Sequence, residues 1–237
     1  MNALLEHVFE KRQFTNSNNE VVAINSETPK GQCEFLQTLI REHNFSSAIE
    51  VGLAHGTSTL AIAEAVAENK GSSVAMDPYE RSYWNSVGLD LVAQAGYQVE
   101  FIEDFSYRVI PKFLEAGRKF DFAYVDSTKL TDWLMTDFFL IDKALVNGGI
   151  IVFDDVNYPS IRKLVRYIAQ LPHYQVVGSW PYNNRWSAAR KVAKNWLTLG
   201  LRDGLSLKDF RLGLIGRSVA LRKTGDDTRE YDWHRKF

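Results

Sequence analysis

Short β-rich apolar runs alternate along this chain with longer runs of helical spacing, an order that few folds accept. The β-rich runs are Ser47–Gly52, Ser73–Asp77, Gln98–Glu103, Asp121–Asp126, Gly149–Asp154, Tyr174–Trp180 and Ser218–Arg222. Helical patterns follow the first five, at Thr57–Glu68, Tyr83–Ala95, Tyr107–Ala116, Asp132–Val146 and Pro159–Gln170. Connections of that length carry the chain back across a sheet, so consecutive strands can pair in parallel. The expected fold is α/β, a seven-stranded Rossmann-like sheet with helices on both faces. An N-terminal helical preface comes first: Thr28-Pro29 followed by Gly31–Glu42 reads as a helix with Pro29 in its first turn. Thr15–Asn19, rich in Asn and Ser, reads as loose. After the sixth run the spacing breaks. Residues 181–217 form a long insertion rich in Trp, Asn, Arg and Gly, with a helical stretch at Ser187–Leu199, and an insertion of that length reads as a lid or a contact surface.

With 237 residues, 45% hydrophobic and 24% charged, the chain can bury one sizeable core. It reads as a single domain: preface 1–46, ligand-binding core 47–180, insertion 181–217, last strand and tail 218–237. A formal net charge of −1 gives no support for a nucleic-acid partner. The one cysteine, Cys33, can form neither an internal disulfide nor a multi-cysteine metal site. No run has the order of a signal peptide or the length of a membrane span, so the expected location is cytoplasmic with no membrane partner.

The segment AIEVGLAHGTSTLAIAEA, Ala48–Ala65, carries the most chemistry. A strand that ends at Gly52, a small-residue turn through Leu53 and Ala54, and a helix that starts near Gly56 and includes Ser58 let backbone approach a ligand closely and aim free helix amides at it. The spacing is G-x-x-x-G, so the pyrophosphate fingerprint G-x-G-x-x-G is missing. Glu50, inside the strand, would repel a phosphate but can receive an amino group. Asp77 ends the second strand, followed by Pro78, where an acid can accept both hydroxyls of a ribose. Together they point to an amino-acid nucleoside.

With these residues the chain resembles the class I S-adenosylmethionine-dependent methyltransferases, through EVGLAHGTST, AMDPY and VNGGIIVFDD over roughly residues 29–177. TPKGQCEFLQTLI and VDSTK narrow the resemblance to the catechol and caffeoyl-CoA O-methyltransferase group. In that group an Asp-x-x-Lys element follows strand four and an Asp-Asn pair follows strand five. Here these are Asp126–Lys129 and Asp154-Asp155, the second with Asp in place of Asn, and the usual aromatic residue after the Lys is displaced to Trp133. Metal-free relatives of the macrocin type, which methylate sugars, share the FDD ending. The resemblance implies S-adenosylmethionine as cofactor and a small-molecule acceptor bearing a hydroxyl. It places adenine contacts at Phe105 and Ser106 and a weaker cofactor contact at Ser26.

Asp126, Asp154 and Asp155 would converge three acids, an oxygen set suited to Mg²⁺ or another divalent cation. In the other reading Asp154 caps the following helix and Asp155 faces solvent. Lys129 could take the acceptor's proton, with Asp126 beside it, or simply pair with Asp132. Ser106 could instead cap a helix with Phe105 in the core, and His55 reads as a local hydrogen-bonder. Trp180, Tyr182, Trp186 and Trp196 could wall an acceptor site or form a homodimer contact. Two other classes compete. A nicotinamide oxidoreductase should show tighter glycine spacing and a Tyr-x-x-x-Lys element, and neither stands in context. A non-catalytic S-adenosylmethionine-binding protein would keep the turn and lose the acceptor site.

Overall fold

The computed structural model describes residues 1–181 and 206–234. The first of two compact units, Met1–Ser127, contains α1 (Ala3–Lys11), β1 (Gln13–Thr15), β2 (Val21–Ala23), α2 (Lys30–His43), β3 (Ser47–Val51), α3 (Thr57–Glu68), β4 (Ser72–Met76), α4 (Val87–Ala95), β5 (Val99–Ile102), α5 (Ser106–Glu115) and β6 (Phe120–Val125). The second, Thr128–Phe237, contains α6 (Thr131–Ala144), β7 (Leu145–Phe153), α7 (Pro159–Ile168), β8 (Tyr174–Trp180), α8 (Leu207–Arg211) and β9 (Ser218–Lys223).

Seven strands hydrogen-bond in the order β5-β4-β3-β6-β7-β9-β8, and each overlaps one of the seven β-rich runs. In the first unit the pairing is parallel throughout the sheet: β3 with β4 and β6, and β4 with β5. Strands β3, β4 and β6 are buried almost continuously rather than alternately, as parallel strands covered on both faces must be, while the edge strand β5 is only partly buried. In the second unit β9 runs antiparallel to both β7 and β8. The sheet is therefore mixed, and the lengths of its connections do not reveal that reversal.

Helix α3 is the spine of the first unit. Every residue from Thr57 to Val66 is buried, which its small side chains Ala61, Ala63 and Ala65 permit. On one side α2 packs against it, and Gln37 Nε2 donates to Ala61 O at 3.1 Å and to Glu64 Oε2 at 2.7 Å. Against α3 and α4 also lie Leu5, Val8, Phe14 and Ile24. They come from α1, capped by the Asn2 side chain, and from a β1–β2 hairpin. Of the segment that reads as loose, Thr15 ends β1 and pairs with Val21, and Asn16–Asn19 lies in the turn of this hairpin, tied by Asn16 Oδ1, which accepts from the backbone N–H groups of Asn18 and Glu20. Strands of three residues have too little period to announce themselves, and their burial comes from distant helices. A smaller correction is that Pro29 is the N-cap of α2, one residue before the helix.

In the second unit, α7 buries Ile161, Arg162, Leu164, Val165 and Ile168 along one side. Asp209 of α8, fully buried, accepts a two-pronged bond from Arg166 at 2.5 and 2.7 Å and lies 3.7 Å from Arg162. Ser206 and Asp209 also close a capping box at the start of α8. No helix among the described residues is long and apolar enough to cross a membrane. Of the expected insertion 181–217, residues 182–205 lie outside the described residues, and with them the predicted helix Ser187–Leu199, Tyr182, Trp186 and Trp196; its end, 206–217, holds α8 and Arg217.

Candidate functional site

Two clusters of polar side chains sit at carboxyl ends of strands, one in each unit. In the first unit, the chain leaves β3 through Gly52, whose φ of +96° is costly for any residue with a side chain. A Cβ there would also lie 2.1 Å from the backbone oxygen of Asp126, so β6 could not approach. The turn continues through Leu53, Ala54 (φ 48°) and Gly56 (φ 73°), and Gly56 N–H donates to Leu53 O at 2.8 Å. Gly56 is the N-cap of α3, and the first helical amides have no carbonyl within their own helix to meet.

Asp77, 6% exposed, holds this turn in place. Its Oδ2 accepts from the backbone N–H groups of Leu53 (3.1 Å) and Ala54 (3.3 Å), and its Oδ1 accepts from Tyr79 (2.9 Å). A carboxylate offers about four acceptor positions, so three backbone donors leave space for one more contact. The sequence reading assigned Asp77 a ligand contact and did not foresee this role in holding the turn.

Glu50 is 2% exposed. Ser58 Oγ donates to its Oε1 at 2.5 Å, while Oε2 is buried and meets no hydrogen-bond partner among the described residues. Burial pushes the Glu50 carboxyl up to about 8, against the opposing hydrogen bonds of Ser58 and Thr59 and with help from the carboxylates of Asp126 and Asp77. A buried acid in this state is short of one cationic donor.

The preface is latched to the same turn. His55 Nδ1 accepts from Asn25 N–H at 3.0 Å, its ring meets Trp84 edge-on at 5.4 Å, and Thr57 Oγ1 accepts from Thr28 N–H at 2.8 Å. His55 is thus the local hydrogen-bonder its position implies, and the latch keeps Ser26, itself exposed, beside the turn. Another part of the frame escaped the sequence reading. Glu80 Oε1 accepts from Gly88 and Leu89 N–H, capping α4, and burial pushes its carboxyl up to about 7. Gly88 in turn sits against Gly56, where a Cβ on either glycine would meet backbone within 3 Å.

Beyond β5, Phe105 is the N-cap of α5 and Ser106 its first residue, so Ser106 is not the cap. Phe105 is half-buried rather than in the core: it meets Tyr79 edge-on at 5.8 Å and stacks on Tyr107 at 5.3 Å, with the Arg108 guanidinium 5.4 Å from its ring. Pro78 joins Asp77 to this aromatic group. Asp126 lies one residue past β6, where its N–H donates to Val51 O and Tyr124 OH reaches its Oδ2 at 3.5 Å.

In the second unit, Asp154 and Asp155 follow β7. Their partners come from the start of β9. The ladder pairs Phe153 with Val219, and extending that antiparallel register sets Asp154 opposite Ser218 and Asp155 opposite Arg217. Ser218 Oγ donates to Asp154 Oδ1 at 2.7 Å, and Arg217 Nη2 donates to Asp154 Oδ2 at 3.1 Å. Arg217 Nε lies 3.2 Å from Asp155 Oδ1, and Lys129 Nζ pairs with Asp155 Oδ2. Each of the four carboxylate oxygens therefore has a hydroxyl or cationic nitrogen close by, the Arg217 Nε–Asp155 contact being an ion pair rather than a hydrogen bond. Both alternative roles for these acids fail: the N-cap of α7 is Tyr158, not Asp154, and Asp155 is buried, with φ 53°. Lys129 pairs with Asp155 rather than with Asp132, and its carbonyl accepts from Ser160 Oγ. Arg217 is a second residue the sequence reading missed, because its place depends on a pairing between residues 63 apart in the chain.

Residues 49–156 match the family described as a methyltransferase domain. Over 154 residues the chain is 31% identical to caffeoyl-CoA O-methyltransferase 2 of Petunia hybrida, and 30% identical to caffeoyl-CoA O-methyltransferase 1 of Nicotiana tabacum. Each alignment covers 59% of this chain, and the chain spans 62% of the length of these relatives. Among solved structures, the O-methyltransferase TomG from Streptomyces achromogenes, in complex with S-adenosylmethionine, superposes with a TM-score of 0.63 at 16% identity, covering 95% of this chain and 91% of that one. An O-methyltransferase from Bacillus cereus in complex with S-adenosylhomocysteine gives 0.59 at 18% identity, covering 75% and 83%.

Proposed function

We propose that this chain, whose residues 49–156 form a methyltransferase domain, moves a methyl group from S-adenosylmethionine to a hydroxyl of a small molecule. One observation carries the reading: the buried, partnerless Oε2 of Glu50 in the wall of a glycine turn. A cofactor with an ammonium group supplies the missing donor and charge, and a phosphate there would be repelled. The α3 amides can receive the carboxylate of the same amino acid. Asp77 has one acceptor position left for a ribose hydroxyl, and we assign the adenine contacts to Phe105 and Ser106 at the start of α5. The Asp126 backbone lies against Gly52 and Ser26 beside His55, and we count both as cofactor contacts.

When bound, S-adenosylmethionine supplies an electrophilic methyl group on a sulfonium. The protein's work is then to align an acceptor oxygen in line with that methyl and to manage its proton. We assign the proton to the Lys129–Asp155 pair, in which the Asp155 carboxylate can accept it from the hydroxyl while the Lys129 ammonium stays alongside. The macrocin-like reading and the metal-dependent one differ in what steadies the acceptor oxygen. Asp126, Asp154 and Asp155 have the donor chemistry for Mg²⁺. Asp154 and Asp155, however, already have their charges matched by Arg217 and Lys129, which is a poor fit to a divalent ion, and no step here depends on one.

The test is a calorimetric titration with S-adenosylmethionine, followed by S-adenosylhomocysteine release with catechol-like and sugar-like hydroxyl acceptors. Acceptor-dependent release supports the reading. Binding without release over the whole acceptor panel makes the protein a binding module, and no binding removes the proposal.

A further inference from the structure

We infer that Arg217 holds the place a divalent cation would take beside the strand-end acids, making the site independent of metal. The inference rests on the proposed methyl transfer for its meaning, but its geometry stands alone within one unit. Asp154 and Asp155 carry two negative charges, and Arg217 and Lys129 carry two positive ones. Arg217 bridges the two carboxylates, as a bound cation would, through Nη2 to Asp154 and Nε on Asp155. Ser218 Oγ occupies the remaining Asp154 oxygen, which is fully buried with its side chain.

The bridge is held by backbone as well as charge. Arg217 O accepts from Val156 N–H at 2.7 Å, and Arg217 N–H donates to Trp180 O at 2.6 Å, so the residue is clamped between the end of β7 and the end of β8. The clamp also accounts for Asp155. An Asn at this position would leave the bridging guanidinium over a single carboxylate, whereas Asp supplies the second charge it spans. A divalent ion entering here would have to displace or sit beside two fixed cations, which Coulomb repulsion at a few ångströms opposes.

An arginine that merely ties strands together would leave no metal site when removed, and that separates the two roles. The full chain and its variants are titrated with Mn²⁺ alone, read from the electron paramagnetic resonance signal of free Mn²⁺, with melting curves to confirm folding. The wild type and Arg217→Lys should bind Mn²⁺ no more tightly than the millimolar range. Arg217→Gln should bind about tenfold or more tightly than wild type, and adding Asp154→Asn should remove that gain. Micromolar Mn²⁺ binding by the wild type that Asp154→Asn abolishes overturns the inference, as does a folded Arg217→Gln that binds no better than wild type. Should Arg217→Gln not fold, Lys129→Gln, which removes the other cation from an exposed position, must show the same direction of change, and its failure to do so counts against the inference. Calorimetry with S-adenosylmethionine in chelator runs alongside: failure there sinks the functional reading and leaves the Mn²⁺ result to decide this one.

Discussion

Glu50 in β3 and Asp77 just past β4 stand on either strand beside the turn proposed to hold the cofactor, and their different surroundings set different experiments. Asp77 spends three acceptor positions on the backbone of its own protein. Asp77→Ala should therefore weaken S-adenosylmethionine binding by about 1.5–3 kcal/mol for the lost charged hydrogen bond, and also lower the melting temperature of the free protein. Calorimetry and a melting curve on one sample check both, and a variant with wild-type affinity would remove Asp77 from the site. Glu50 behaves in the opposite sense from an ion-paired acid. Its carboxyl, raised to about 8, keeps its proton in the folded protein at pH values where the unfolded chain has lost it. Stability should fall as pH rises from the ordinary carboxylate range to about 8 and level off above it. Glu80, raised to about 7, adds a slope of the same sign over an overlapping window. Glu50→Gln should flatten part of the slope in melting temperature against pH, and an unchanged slope would show that the burial of Glu50 does not control it.

At the level of elements, the second unit depends on one short helix. Asp209 of α8 pairs with Arg166 and lies beside the buried Arg162 of α7, so removing the carboxylate leaves positive charge in a dry place. Asp209→Ala should cost about 3–5 kcal/mol, measured by denaturant titration at unchanged slope, whereas a cost below about 1 kcal/mol would class the pair with ordinary surface bridges. In the first unit the comparable element is the turn before α3. Its glycines are set by close approach, Gly52 to the Asp126 backbone and Gly56 to Gly88, and not by flexibility. Gly56→Ala should lower both stability and cofactor affinity, because φ 73° and a contact at 2.8 Å tax the same residue.

For the whole molecule, binding and folding are linked. If Glu50 receives an ammonium, saturating S-adenosylmethionine should stabilise the chain, by about 2.7 kcal/mol at a hundred times its dissociation constant. The rise in melting temperature should be the same in chelator as in added Mg²⁺. A stabilisation that disappears in chelator would return the protein to the metal-dependent reading. The N-terminal residues belong to the same linkage, since α1 and the hairpin pack on α3 and α4 while Asn25 and Thr28 fasten to His55 and Thr57.

The strand and helix pattern, the parallel crossovers and the turn from Glu50 to Ser58 were readable from sequence, because each depends on residues near one another along the chain. Periodicity marks a buried strand or an amphipathic helix, and a glycine between a strand and a helix marks a tight turn, without reference to anything distant. Asp154 and Asp155 were equally visible as a pair of acids at a strand end, but their chemistry was not. Whether such a pair binds a cation or is already neutralised depends on what lies across the ladder, and the antiparallel register that sets Arg217 opposite Asp155 is formed by β9, separated from β7 by all of α7 and β8. The same holds for Asp77, whose donors come from the turn after β3, and for α1 with its hairpin, whose burial is conferred by α3 and α4. Local sequence determined which groups stand at the strand ends; long-range packing, which sets distance and therefore charge balance, decided which partners they meet there.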